Sequence, residues 1–224
     1  MAKASLETAS REFAGKLSSL LNLTVCDGVR VAAIEAPATG VAVVGFGLTK
    51  KSVDLRAIPL RIGNAEARVC LRMIFSVSLG DHGYLTVDGS QFGLFLDPDF
   101  NRLLVHWDYV RLPKAGYPRA HVQVDGFSEN FASLFASSQR RGDPPPTHSE
   151  LPRLHFPVGG RRFRPSLEDV IEFAIYHGMC GARSDALEQL EASRRRFDEI
   201  QLRAAVRNYP ELAVDVLRET GHVQ

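Results

Sequence analysis

Cysteine is scarce in this chain, with three in 224 residues. Cys26, Cys70 and Cys180 are odd in number, far apart and in no C-x-x-C arrangement. That speaks against a disulfide framework and leaves free thiols, mostly core filler, in a reducing compartment. Long apolar runs are lacking too, and none reaches the ~20 residues that a membrane helix needs. Met1 to Ser10 has no apolar signal-peptide core, so the expectation is a protein made and kept in the cytoplasm, with no membrane partner. Charge of one sign is also missing. A net charge of +1 removes any global electrostatic case for nucleic acid, which must rest on a local patch instead.

The motifs of the common cofactor and hydrolase sites are absent as well. There is no Gly-rich phosphate loop, dinucleotide fingerprint, G-x-S-x-G elbow or H-E-x-x-H. Gly45-Phe-Gly47 follows a strand pattern but lacks the rest of a nucleotide fingerprint. No cofactor is expected.

What is present is ordinary globular composition with two kinds of periodicity. Residues 5–22 read as an amphipathic helix, with Leu6, Phe13, Leu17, Leu20 and Leu21 near one face and Ser5 as N-cap. From 28 to 125 the period changes to two. Val41 to Leu48, Leu55 to Ile62, Ala67 to Leu79, Leu103 to Leu112 and Pro118 to Val124 read as strands. Tyr84 to Asp88 and Phe92 to Leu96 read as two more, split by a hairpin turn at Asp88-Gly89, where both residue types tolerate positive φ. Asp81-His-Gly83 and Asp97-Pro-Asp99 are further turn signals.

Glu129 to Ser138 suits a short helix, and the segment to Ser149, with Pro144-Pro-Pro146, an extended loop. Leu154 to Val158 suits an edge strand, since Pro157 lacks a donor. Ser166-Leu-Glu-Asp169 is a capping box opening a helix that stops near Gly178. Ser184 starts a second helix through Asn208, and Pro210 opens a last one to 219. Strands joined without intervening helices predict an α+β fold: an antiparallel meander of about five to seven strands with an N-terminal helix and C-terminal helices. Residues 1–178 form the α+β domain, and 184–221 a helical arm or a further part of the same domain.

Histidine carries the first chemical signal. His121 in Ala120-His-Val-Gln-Val124 and His155 in Leu154-His-Phe156 share the form apolar-His-apolar. If their segments are neighbours in the sheet, two imidazoles face one site and can act as a catalytic acid–base pair on a phosphodiester. The plainer alternative, a solvent-facing or backbone-bonded histidine, carries more weight at each position. Two-histidine phosphoesterases place Ser or Thr two residues after each His, whereas Gln123 and Pro157 stand here. His82, His106, His121, His148 and His155 are scattered without ligand spacing, so no metal site is expected; Asp108 and Asp125 are only nearby carboxylates.

Arginine is the second signal. Arg140, Arg141, Arg153, Arg161, Arg162 and Arg164 face only Asp143 and Glu150, a local balance of +4. Such a patch can bind nucleic acid or phosphate. With little aromatic interleaving, a solvated loop or an acidic protein partner is the weightier reading. Arg194-Arg-Arg196 lies among Glu188, Glu191, Asp198 and Glu199 at helical spacing, which describes a charged solvent face. His106 and Asp108 share one strand face, and Trp107 and Tyr109 the other, which is expected to be core.

Two family likenesses follow. Leu151-Pro-Arg-Leu-His-Phe-Pro-Val158 followed by Pro165-Ser-Leu-Glu-Asp-Val-Ile-Glu-Phe173 resembles the TumE-like toxin family, over residues 106–175. That resemblance implies a bacterial interaction or regulatory protein of a defence or toxin–antitoxin type, with a protein partner or a second copy of itself. Leu103 to Val124, with Tyr117-Pro118 after the long strand, is similar to the ubiquitin-conjugating and RWD-like fold. The chain lacks the His-Pro-Asn and the cysteine of those enzymes, so that likeness implies a catalytically silent binding module. An interaction protein is the preferred function, and a nucleic-acid hydrolase using His121 and His155 the alternative.

Overall fold

The computed structural model describes residues 5–36, 38–80, 83–115, 118–126, 156–158 and 164–223. Helix α1 (Leu6–Thr24) opens at Ser5, whose hydroxyl accepts the amide hydrogen bond of Thr8. Its buried residues recur every three or four positions, from Leu6 through Ala14 and Leu17 to Leu21. Phe13 meets Phe75 edge-on at 5.0 Å. Each aliphatic side chain fully withdrawn from water contributes about 1.5–3 kcal/mol, which holds α1 to the sheet.

The strands are β1 (Val31–Ala36), β2 (Val41–Phe46), β3 (Ile58–Pro59), β4 (Cys70–Leu79), β5 (Leu85–Phe95), β6 (Leu103–Val110), β7 (Ala120–Val124) and the two-residue β8 (Phe156–Pro157). They lie in chain order and every pairing is antiparallel, with β3 beside β4 where β2 ends. The fold is therefore the expected α+β meander. The Leu55 to Ile62 pattern contributes only the short β3.

One expectation is corrected outright. Asp88-Gly89 makes no hairpin, because β5 runs straight through it. Ser76 stands opposite Gly89 and Val77 opposite Val87, so Asp88 is the extra residue of a β-bulge. The freed Asp88 carbonyl accepts the amide hydrogen bond of Arg111 at 2.8 Å. The turns that do reverse the chain lie elsewhere. Gly83 has φ 73° before β5. After β5, the Asp97 carboxylate accepts the amides of Asp99, Asn101 and Arg102. Gly45 serves packing: a Cβ there would come within 2.6 Å of the Leu55 side chain and 3.1 Å of the Met73 carbonyl.

The sheet has two unlike faces. One carries Val44, Phe75, Met73, Phe92, Leu94 and Val105 into the core. Helices α1 and α2 (Leu167–Tyr176) cover it, with Trp107 edge-on to Phe173 at 5.4 Å. The capping box of α2 is complete: Ser166 Oγ accepts from the Asp169 amide, and Asp169 accepts from the Ser166 amide. The opposite face carries Arg72, Ile74, Gln91, His106, Asp108, His121 and Gln123.

Helix α3 (Ala186–Asn208) buries Ala186 and Leu190. Arg183, just before it, donates to the carbonyls of Asn22 and Cys26 at the end of α1 and pairs with Asp27. Cations belong there, where helix carbonyls lack partners. Ser193 donates to Glu168 at 2.6 Å and Arg194 pairs with Glu172 at 2.8 Å, tying α3 to α2. Arg195 with Glu191 and Arg203 with Glu199 form i,i+4 pairs, the charged solvent face expected there. Helix α4 (Pro210–Glu219) starts with proline in its first turn and buries no residue. No helix among the described residues is long and apolar enough to cross a membrane.

Candidate functional site

The polar face of the sheet gathers its chemistry at β6 and β7. His106 and Asp108 are two apart on β6, and His121 and Gln123 two apart on β7, so each pair points to one side. The register sets His106 opposite Gln123 and Asp108 opposite His121. Four polar side chains thus occupy the corners of a square a few ångströms on edge.

The distances are short. His106 Nε2 lies 2.6 Å from Gln123 Oε1, and His121 Nε2 lies 3.3 Å from the same oxygen. Both Nε2 atoms lie 3.5 Å from Asp108 Oδ2. The imidazoles stand edge to face, with centroids 6.5 Å apart. His106 and Asp108 are half-buried, while His121 is only 1% exposed. The donor atoms of His106, Asp108 and His121 all fall within 4.8 Å of one another, a set that can share protons or hold a metal ion.

The square opens on a hollow of about 200 Å³ lined in part by Arg72, Gln91, Gly93, Phe95, His106 and Asp108. Gly93 stands directly opposite His106. A Cβ there would meet the Phe95 ring at 2.6 Å, so only glycine leaves this wall undisturbed. The Arg72 guanidinium lies over Phe100 at 5.8 Å, giving the hollow a positive wall.

Of the histidine pair, His121 is in this square and His155 lies outside the described residues. Their segments are neighbours, since β8 sets Pro157 opposite His121 and Phe156 opposite Val122. Arg140, Arg141, Arg153, Arg161 and Arg162 also lie outside the described residues, as do the 129–138 helix and the proline loop. Arg164 is described. Its guanidinium lies over Phe197 at 5.0 Å and Tyr109 at 5.8 Å, and burial pushes its pKa down. That placement joins the approach to α2 with α3.

Sequence reasoning placed His106 and Asp108 on one strand face but did not join them to His121. The available signal was the pair of motifs His-x-Asp and His-x-Gln on successive strands. It becomes a site only once the register is known, because a shift of one residue would turn one pair to the opposite face.

The three cysteines are free thiols, Cys26 and Cys70 buried and Cys180 half-buried. Burial pushes the Cys26 thiol up to about 12 and the Cys180 thiol up to about 11, away from nucleophile chemistry. No protein-family model, curated protein or solved structure matches this chain.

Proposed function

We propose that this chain is an interaction protein that associates with a second copy of itself through its C-terminal helical arm. The observation that carries this reading is the run of exposed apolar side chains along the arm. Ile200, Leu202, Val206 and Tyr209, then Leu212, Val214, Val216 and Leu217, are all exposed, Leu202 at 66% and Leu212 at 63%. Scattered surface leucines need no explanation, but an apolar series on successive turns of two helices does.

Charge favours a second copy as the occupant. Helix α4 carries Glu211, Asp215 and Glu219 against Arg218, while α3 after Glu199 carries Arg203 and Arg207 and no acid, with Arg203 paired to Glu199. Two arms packed antiparallel set an acidic α4 against the basic C-terminal end of α3, and a twofold pairing uses the same patch on both copies. Such a docking element suits the toxin–antitoxin type of setting that the TumE-like resemblance implies. Sedimentation velocity over a concentration series tests it. The wild-type chain should dimerise and the Leu212→Glu, Val216→Glu double variant should stay monomeric. A wild-type monomer throughout the series overturns self-association and transfers the arm to a different partner.

A second reading, phosphodiester hydrolysis by His121 and His155, draws support from the β7–β8 pairing that brings their segments together. RNA and DNA degradation by the wild type and by His155→Ala tests it. Equal activity, or none in either, counts against it.

A further inference from the structure

We infer that His106, Asp108 and His121 form a binding site for a divalent transition-metal ion of the zinc type, with Gln123 at the fourth corner. The inference is independent of the helical arm.

The separation of the donor atoms carries it. Each Nε2 lies 3.5 Å from Asp108 Oδ2. An imidazolium–carboxylate hydrogen bond closes to about 2.7–2.9 Å, so these contacts are too long to be good ones. A zinc ion with bonds of about 2.0–2.2 Å holds its ligands at tetrahedral corners about 3.3–3.5 Å apart. The two imidazole–carboxylate edges therefore match the edges of a zinc tetrahedron better than they match hydrogen bonds, and the third edge, between imidazole donors that lie within 4.8 Å, closes to that length as the ion binds.

The donor types agree. Two imidazole nitrogens and one carboxylate suit zinc, cobalt or nickel, whereas magnesium and calcium prefer all-oxygen shells. Gln123 Oε1 lies 3.3 Å from His121 Nε2, again at edge length. It stands 2.6 Å from His106 Nε2, a hydrogen bond from the imidazole, and has to draw back as the ion takes the proton's place.

The scaffold also suits a preset site. All four side chains project from two paired strands in the body of a sheet, so little ordering is left for the ion to impose. His121 and Gln123 are buried, while His106 and Asp108 line the hollow beside Gly93. One side of the site is thus closed and the other open to exchange. The Arg72 wall of that hollow would favour an anionic ligand on the ion.

Cobalt is the probe, because bound Co²⁺ reports its geometry by visible absorption. Titrating the full chain with CoCl₂ should give the strong bands of a tetrahedral centre, saturating at one equivalent. ZnCl₂ should displace them and raise the melting temperature. His106→Gln and Asp108→Asn alter half-buried positions, and circular dichroism checks their fold. Each should weaken Co²⁺ affinity at least about tenfold, as the loss of a direct ligand requires. Cys180→Ser should bind as the wild type does. The inference is overturned if the wild type shows no saturable cobalt spectrum or the two variants titrate like wild type. A thiolate-to-cobalt charge-transfer band lost in Cys180→Ser would equally overturn it, by placing the ion on the cysteine.

Discussion

Cys26 shows what burial does to a single residue. It is fully buried at the end of α1, with its Sγ 3.6 Å from the Pro59 carbonyl. Desolvation raises its pKa from 9.0 to about 12. The folded chain keeps this proton over a range where the unfolded chain releases it. The contribution to stability is therefore complete below pH ~9 and is lost as pH rises through ~12, with a limiting slope of about 1.4 kcal/mol per pH unit. Denaturant midpoints measured at alkaline pH should fall more steeply in the wild type than in Cys26→Ala, while Ellman's reagent at neutral pH should label Cys26 only on unfolding. Composition alone indicated a free thiol here, but the size of the shift depends on the strands and loops packed around it.

At the scale of the element, the local code was most legible where a single turn of chain contains both partners. Ser166 and Asp169 are three residues apart, and each satisfies the other's backbone amide. Ser166→Ala should cost about 1 kcal/mol in urea unfolding, with the slope unchanged. Asp185 before α3 accepts no capping hydrogen bond, so Asp185→Ala should cost clearly less. The same kind of reading failed at Asp88-Gly89. The dipeptide does favour a tight turn, yet β4 pairs along the whole of β5 and β6 joins from Gly89 to Phe95, and the extra residue is absorbed as a bulge. A run of cross-strand hydrogen bonds on both sides outweighs a preference worth a fraction of a kcal/mol.

On the scale of the whole molecule, the chain divides by what it buries. From α1 to the first turns of α3, apolar side chains are enclosed in one core. Beyond Leu190 no residue of α3 or α4 is buried. Removing residues 210–224 should therefore leave the unfolding free energy at high dilution within about 0.5 kcal/mol of the full chain. The same truncation should abolish any dependence of the melting temperature on protein concentration, since a dimer interface stabilises by mass action. A large loss of stability in the dilute truncated chain would mean that α4 helps to hold the folded body together.

Local patterning was enough to establish the α+β class, the caps at Ser5 and Ser166, the proline start of α4 and the charged face of α3. Each rests on residues within a few positions of one another, where propensity, period and capping act directly. The square of His106, Asp108, His121 and Gln123 is different. Its members are thirteen to seventeen residues apart across the β6–β7 connection, and they meet only because the register pairs His106 with Gln123 and Asp108 with His121. The hollow beside them needs a third strand to set Gly93 opposite His106. Which strands are neighbours, and in what register, is decided by burial of the shared core face, a property of the packed sheet that no single segment carries.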